Sequence, residues 1–82
     1  MAYSNKLKIP LTSIGGSAII ARIGYDANEQ ILRIDYHKTG IYDYFNVTLS
    51  EFHAIASIPE NESIGKRVKD VVKGKRFKRF NE

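Results

Sequence analysis

Three stretches of the chain alternate apolar and polar side chains at the two-residue period of a β-strand, and two later stretches repeat at the helical period. Ala18 to Tyr25 sets Ile19, Ala21, Ile23 and Tyr25 on one face. Gln30 to His37 alternates most clearly, with Leu32, Ile34 and Tyr36 facing one way and Arg33 and Asp35 the other. Ile41 to Val47 places Ile41, Phe45 and Val47 opposite Tyr42 and Tyr44, because successive strand residues point to opposite sides of a sheet. The connections are short. Asp26-Ala27-Asn28-Glu29 is polar turn chemistry, and Lys38-Thr39-Gly40 ends on a glycine able to take the left-handed position that closes a hairpin. Three strands joined this way form a meander, not a series of βαβ units.

The helical stretches follow. Thr48-Leu49-Ser50-Glu51 fits a capping box, in which the threonine covers an orphan amide and the glutamate reaches back. Leu49, Phe52, Ile55 and Ala56 then repeat at helical spacing as far as Pro59, which stops the helix. Asn61 can cap a second helix whose apolar stripe is Ile64, Val68, Val71 and Val72, and Gly74 ends it. Lys75 to Phe80 is either a last strand or a loose tail. Residues 1–17 read as an irregular arm, with Pro10 confined to a strand edge and Ser13-Ile14-Gly15-Gly16-Ser17 as a turn. The expected fold is therefore α+β: a small three-stranded antiparallel meander followed by two short helices, with a possible C-terminal strand, over residues 18–80.

Size and composition narrow the picture. With 82 residues the chain suffices for one domain. A domain so small buries only about 60–65% of its unfolded surface. Cysteine is absent, so neither disulfides nor thiolate zinc ligands can reinforce it. Met1 to Lys6 lacks the apolar run of a signal peptide, and no segment approaches the ~20 apolar residues of a membrane helix. The expectation is a soluble, cytoplasmic protein without a membrane role.

The net charge is +4, but its distribution matters more. Residues 66–82 carry eight basic and two acidic side chains, a balance of +6, whereas residues 1–65 carry five basic and seven acidic ones, a balance of −2. Such asymmetry points to a polyanionic partner. The basic set is Lys66, Arg67, Lys69, Lys73, Lys75, Arg76, Lys78 and Arg79. The solvated face of the second helix accounts for the first four. The last four interleave with Phe77 and Phe80 beyond that helix, a pattern that suits phosphate attraction. Tyr42 and Tyr44 share one strand face and have two readings. Either they cover the sheet beneath a helix, or they offer a stacking platform for bases.

Catalytic and metal chemistry find no support. His37 and His53 sit in no nucleophile motif and have no carboxylate pairing of ligand spacing. Gly15-Gly16-Ser17 lacks the P-loop lysine and precedes a strand, so it reads as a turn. The sequons at Asn46 and Asn61 are chance matches without a secretory signal. No cofactor is expected.

The order of parts, with Ser17, Ile20, Ile23-Gly24-Tyr25-Asp26, the Tyr-x-Tyr pair Tyr42 and Tyr44, and Val47, resembles the KTSC domain over roughly residues 17–80. That family is named for the C-terminus of some lysyl-tRNA synthetases and also occurs alone in bacterial and phage proteins. Two departures stand out: Thr48 replaces a usual proline, and the link Pro59 to Gly65 lacks the family's aromatic-Asn pair. The second helix also looks about one turn longer than usual. The resemblance implies the fold above and, through the RNA binding usually suggested for the family, a nucleic-acid ligand. The expected function is a non-catalytic binding module, for RNA rather than DNA, in which Tyr42 and Tyr44 stack and the basic set holds phosphates. The alternative is a protein-interaction module with an acidic partner, such as a phage or mobile-element factor that modulates a host protein.

Overall fold

The computed structural model describes residues 9–14, 17–57 and 63–80. Five antiparallel strands form one sheet in the order of the chain: β1 (Thr12–Ser13), β2 (Ile20–Asp26), β3 (Ile31–Tyr36), β4 (Gly40–Tyr44) and β5 (Phe77–Phe80). Two helices, α1 (Leu49–Ala56) and α2 (Ile64–Val72), lie between β4 and β5 in sequence. The molecule is thus α+β, as the patterning predicts, but with five strands among the described residues. The C-terminal segment is a strand, and the arm supplies another at the opposite edge.

The central hairpins follow from local chemistry. Asp26 Oδ1 accepts the Asn28 and Glu29 amides at 2.9 and 3.0 Å, an Asx turn that reverses the chain between β2 and β3. Gly40 closes the next hairpin at φ 102°, where a side chain would be strained. The register Tyr25↔Leu32↔Tyr44↔Phe77 and Ile23↔Ile34↔Tyr42↔Arg79 aligns the residues of one sheet face. On this face Ile20, Leu32 and Ile34 pack with Val47, Ile55 and Val68, all at most 1% exposed.

Two irregularities change the alternation expected from the sequence. A register shift between Ile20 and Arg22 breaks the first strand. In consequence Ile20 is buried while Ile19, expected on the inner face, is 48% exposed. A bulge of this kind adds one residue to a strand and so reverses which side chains face inward. The second irregularity is Asn46 at φ 60°, a left-handed conformation that asparagine tolerates better than most residues. Here β4 has already ended at Tyr44, and the chain turns so that the Val47 N–H donates to the Gln30 carbonyl at 2.9 Å. Val47 therefore enters the helix-side core instead of lying opposite the tyrosines.

Both helix starts are capped by side chains. Thr48 and Glu51 form the expected reciprocal box: Thr48 Oγ1 accepts the Glu51 amide at 3.2 Å, and Glu51 Oε1 accepts the Thr48 amide at 2.9 Å. A proline in place of Thr48 could not supply that returning bond because it has no N–H. The second helix is capped by Ser63, whose Oγ accepts the Lys66 amide at 3.3 Å, and not by Asn61. Ser63 lies immediately before the first helical residue, the position at which a hydroxyl reaches the orphan amides. Gly74, at φ 79°, ends α2. Residues 58–62, which include Pro59, and Gly15 and Gly16 lie outside the described residues.

Candidate nucleic-acid interface

The helix-side face divides into two halves. Over β2 and β3 it is closed by α1 and α2. Tyr25 stacks on Phe52 of α1 with centroids 4.6 Å apart and planes 8° apart, and its hydroxyl donates to the Val47 carbonyl. Burial raises the Tyr25 hydroxyl's pKa, helped by the charges of Glu51 and Asp26. Over β4 and β5 the same face carries a run of aromatic rings. Tyr36 meets Tyr42 edge-on at 5.9 Å, Tyr42 meets Phe77 at 6.0 Å, and Tyr44 meets Phe77 at 5.9 Å. The Tyr36 and Tyr44 hydroxyls bond to each other at 2.8 Å. Burial, and then that bond, push the Tyr36 hydroxyl well above the ordinary phenol range.

The two tyrosines have different surroundings. Tyr44 packs against the core cluster beside Tyr36, while Tyr42, also half-buried, lies between the Tyr36 and Phe77 rings. Within this strip the exposed ring is Phe77, at 63%. It is the ring that reasoning on the Tyr-x-Tyr pair leaves out. Its signal in the sequence was the alternation of phenylalanine with basic residues after Gly74.

The basic residues do not gather into one patch. By register Arg79 shares the aromatic face with Tyr42, and its guanidinium extends over Gly40. Lys78 alternates to the other face, opposite Asp43. Lys75 is committed within the fold: its Nζ donates to the Asn46 carbonyl at 2.7 Å and pairs with Glu51 Oε1 at 2.9 Å. That ammonium, and then the Thr48 amide, hold the Glu51 carboxyl below its ordinary value. Arg76 enters β5 from the α2 side, with its carbonyl accepting the Phe45 amide. Lys66, Lys69 and Lys73 are exposed on or just after α2, and Arg67 with Lys66, Asp70 and Glu51 lines a cleft between the helices.

The opposite face of the sheet is unlike the first. Arg33 and Asp43 form a bidentate pair there, Nε to Oδ1 at 2.6 Å and Nη2 to Oδ2 at 2.8 Å, with side chains 3% and 0% exposed. The Phe80 ring lies 3.6 Å from the guanidinium carbon of Arg33, a cation–π contact that anchors the end of β5. Arg22 and Asp35 pair beside them at 2.7 Å. The arm covers this polar face near Gly24, where a side chain would collide with the Pro10 carbonyl oxygen and with Ile9. Ile9 is 6% exposed. The described part of the arm expected to be irregular, residues 9–14, therefore folds onto the sheet.

The histidines are dispersed. His37 Nε2 donates to the Ser17 carbonyl at 3.1 Å, and His53 lies beside Phe52 on α1. Among the described residues there is no group of three side chains able to hold a metal ion, and no helix is long and apolar enough to cross a membrane.

Comparison with known proteins agrees with this architecture. No curated protein matches the chain. A crystal structure of a KTSC domain protein from Yersinia pestis is similar, with a TM-score of 0.79 and 24% identity, covering 90% of this chain and 100% of that one. At that identity the likeness establishes the fold. The family model described as KTSC domain matches residues 16–77. That span is most of the sequence and contains both the Ile23-Gly24-Tyr25-Asp26 strand and the Tyr-x-Tyr pair, so the chain belongs to the KTSC domain family.

Proposed function

We propose that this protein is a non-catalytic module that binds single-stranded RNA on the β4–β5 half of its helix-side face. The observation that carries the reading is the 63% exposure of Phe77 within a run of rings that Arg79 shares. An exposed ring beside a cation suits an unpaired base, whose π-face stacks while its phosphate meets the charge. Tyr42 supports the Phe77 ring edge-on, and Tyr44 holds the base of the strip against the core. Arg79 is the phosphate contact in register with the rings, with Lys73, Lys69, Lys66 and Arg67 extending the positive field along α2. Lys75 acts as a structural latch, and Lys78 belongs to the other face of the sheet.

The test is a salt-titrated binding series with a pool of short single-stranded RNAs and the matching DNAs. Phe77→Ala should weaken RNA binding by about 1–3 kcal/mol without altering the salt slope, since stacking releases no counterions. Arg79→Ala should flatten the slope of log affinity against log salt by roughly 0.7, the share of one phosphate contact with a single strand. No binding by the intact protein to either pool at low salt would overturn the reading. So would an affinity indifferent to Phe77.

A further inference from the structure

The outer edge of β5 is a separate feature that does not depend on base stacking. Its geometry follows from one bond. The Phe45 N–H donates to the Arg76 carbonyl at 2.9 Å, so these opposed residues form a hydrogen-bonded pair. Hydrogen-bonded and non-hydrogen-bonded pairs alternate along an antiparallel ladder. With Tyr44↔Phe77, Asp43↔Lys78, Tyr42↔Arg79 and Ile41↔Phe80 in register, Lys78 and Phe80 are the residues of β5 that bond inward to β4. The N–H and C=O groups of Phe77 and Arg79 point the other way, along the rim of the sheet. Among the described residues no strand lies beyond them.

An unpaired edge is a template for another strand, and charge decides which strand fits. A second copy of the chain is disfavoured in the three symmetric antiparallel registers that set Phe77 and Arg79 against each other or against themselves. Phe77 opposite Arg79 sets Lys78 against its own counterpart. Phe77 opposite Phe77 sets Lys78 against Arg76, and Arg79 opposite Arg79 brings two guanidinium groups together. Like charges directly opposite each other destabilise a strand pair. The same side chains attract an acidic strand.

We infer that β5 is a docking edge for an extended acidic segment of a protein partner, which adds a sixth strand to the sheet. Acidic residues of that segment lie opposite Lys78 and Arg79, one on each face, and an apolar residue lies beside the exposed Phe77 ring. In strand addition the main-chain bonds supply affinity, and alternate side chains supply selectivity.

A designed probe tests this directly: a peptide of alternating threonine and valine that carries two adjacent glutamates, titrated into the isotope-labelled protein. Amide exchange at Phe77 and Arg79 should slow at least tenfold on binding, while exchange at Lys78, already bonded inward, changes little. The same peptide with lysines in place of the glutamates should not bind. Arg79→Pro removes the outward N–H without removing a β4–β5 bond, so it should weaken binding at least fivefold beyond Arg79→Ala. RNA affinity should fall equally in those two variants, which separates this inference from the RNA reading. Absence of peptide binding would overturn the proposal, as would protection confined to the α1–α2 cleft. Equal peptide affinity for Arg79→Pro and Arg79→Ala would mean attraction by charge alone and would also overturn it, as would concentration-dependent dimerisation that protects Phe77 and Arg79 without peptide.

Discussion

The two faces of this sheet solve burial by opposite means. The helix-side face buries Ile20, Leu32, Ile34, Val47, Ile55 and Val68 beneath α1 and α2. Among the described residues the other face is covered by the arm at Ile9–Leu11 and by the Phe80 ring, and at its centre is the ion pair Arg33–Asp43. Apolar burial is non-directional and tolerates some change of shape. A buried pair is held only while both charges are present, because each is costly to desolvate alone. The thinner cover thus has the stricter requirement. This contrast also explains how β5 is attached: Phe80 is held on the polar face and Phe77 on the aromatic one, so the strand presents its middle residues and its rim to solvent.

The largest expected effect comes from breaking the polar face. Asp43→Ala leaves the Arg33 guanidinium buried and unpaired, and should cost about 3–5 kcal/mol in denaturant unfolding. For a domain with roughly 5–15 kcal/mol of stability this approaches global unfolding. Replacing both partners with apolar residues of similar volume should restore most of that loss. A double variant as unstable as Asp43→Ala would show that the pair itself, rather than its balance, is required.

On the apolar face, Ile34→Ala should cost about 2–5 kcal/mol through lost burial and a residual cavity. A change below 1 kcal/mol would mean that Ile34 does not occupy the core beneath the helices. Gly24→Ala attacks the cover of the polar face. The added methyl meets backbone at Pro10, so the arm must shift, and a loss of roughly 1–3 kcal/mol is expected. Cleavage of the arm by a protease should accelerate in this variant, whereas Ile34→Ala at matched stability should leave it unchanged.

The smallest effect concerns acid. Glu51 has its carboxyl pKa lowered from about 4.5, chiefly by Lys75. A depressed carboxyl contributes stability that is present above its unfolded pKa and lost as pH falls through the lower folded value. Wild-type stability should therefore decline below about pH 4.5 more steeply than that of Glu51→Gln. Parallel decline in both proteins would remove Glu51 from the acid response. The side chain is 34% exposed, so solvent screening keeps the contribution small.

Much of the fold was legible because it rests on local rules. The period-two run at Leu32, Ile34 and Tyr36, the Asx and glycine turns, and the Thr48–Glu51 box each lie within a few residues. The candidate site was less legible. The Tyr-x-Tyr pair marks the correct strand, but which rings face solvent depends on Phe77 arriving from 33 residues beyond Tyr44. The basic run reads as one cluster in the sequence. Strand alternation then divides Lys78 from Arg79, and Glu51 draws Lys75 into the fold.

By itself the sequence determined the α+β class, the central meander with its hairpin turns, the capping box of the first helix, and the concentration of positive charge at one end. Those properties follow from side-chain period and from backbone bonds closed over short distances. Only the tertiary structure decided that the arm and the tail are the two edge strands, that Val47 turns inward after Asn46, and that Arg33 is buried against Asp43. Each of these depends on the register between strands distant in sequence and on what a thin layer of chain can cover, and a local window contains neither.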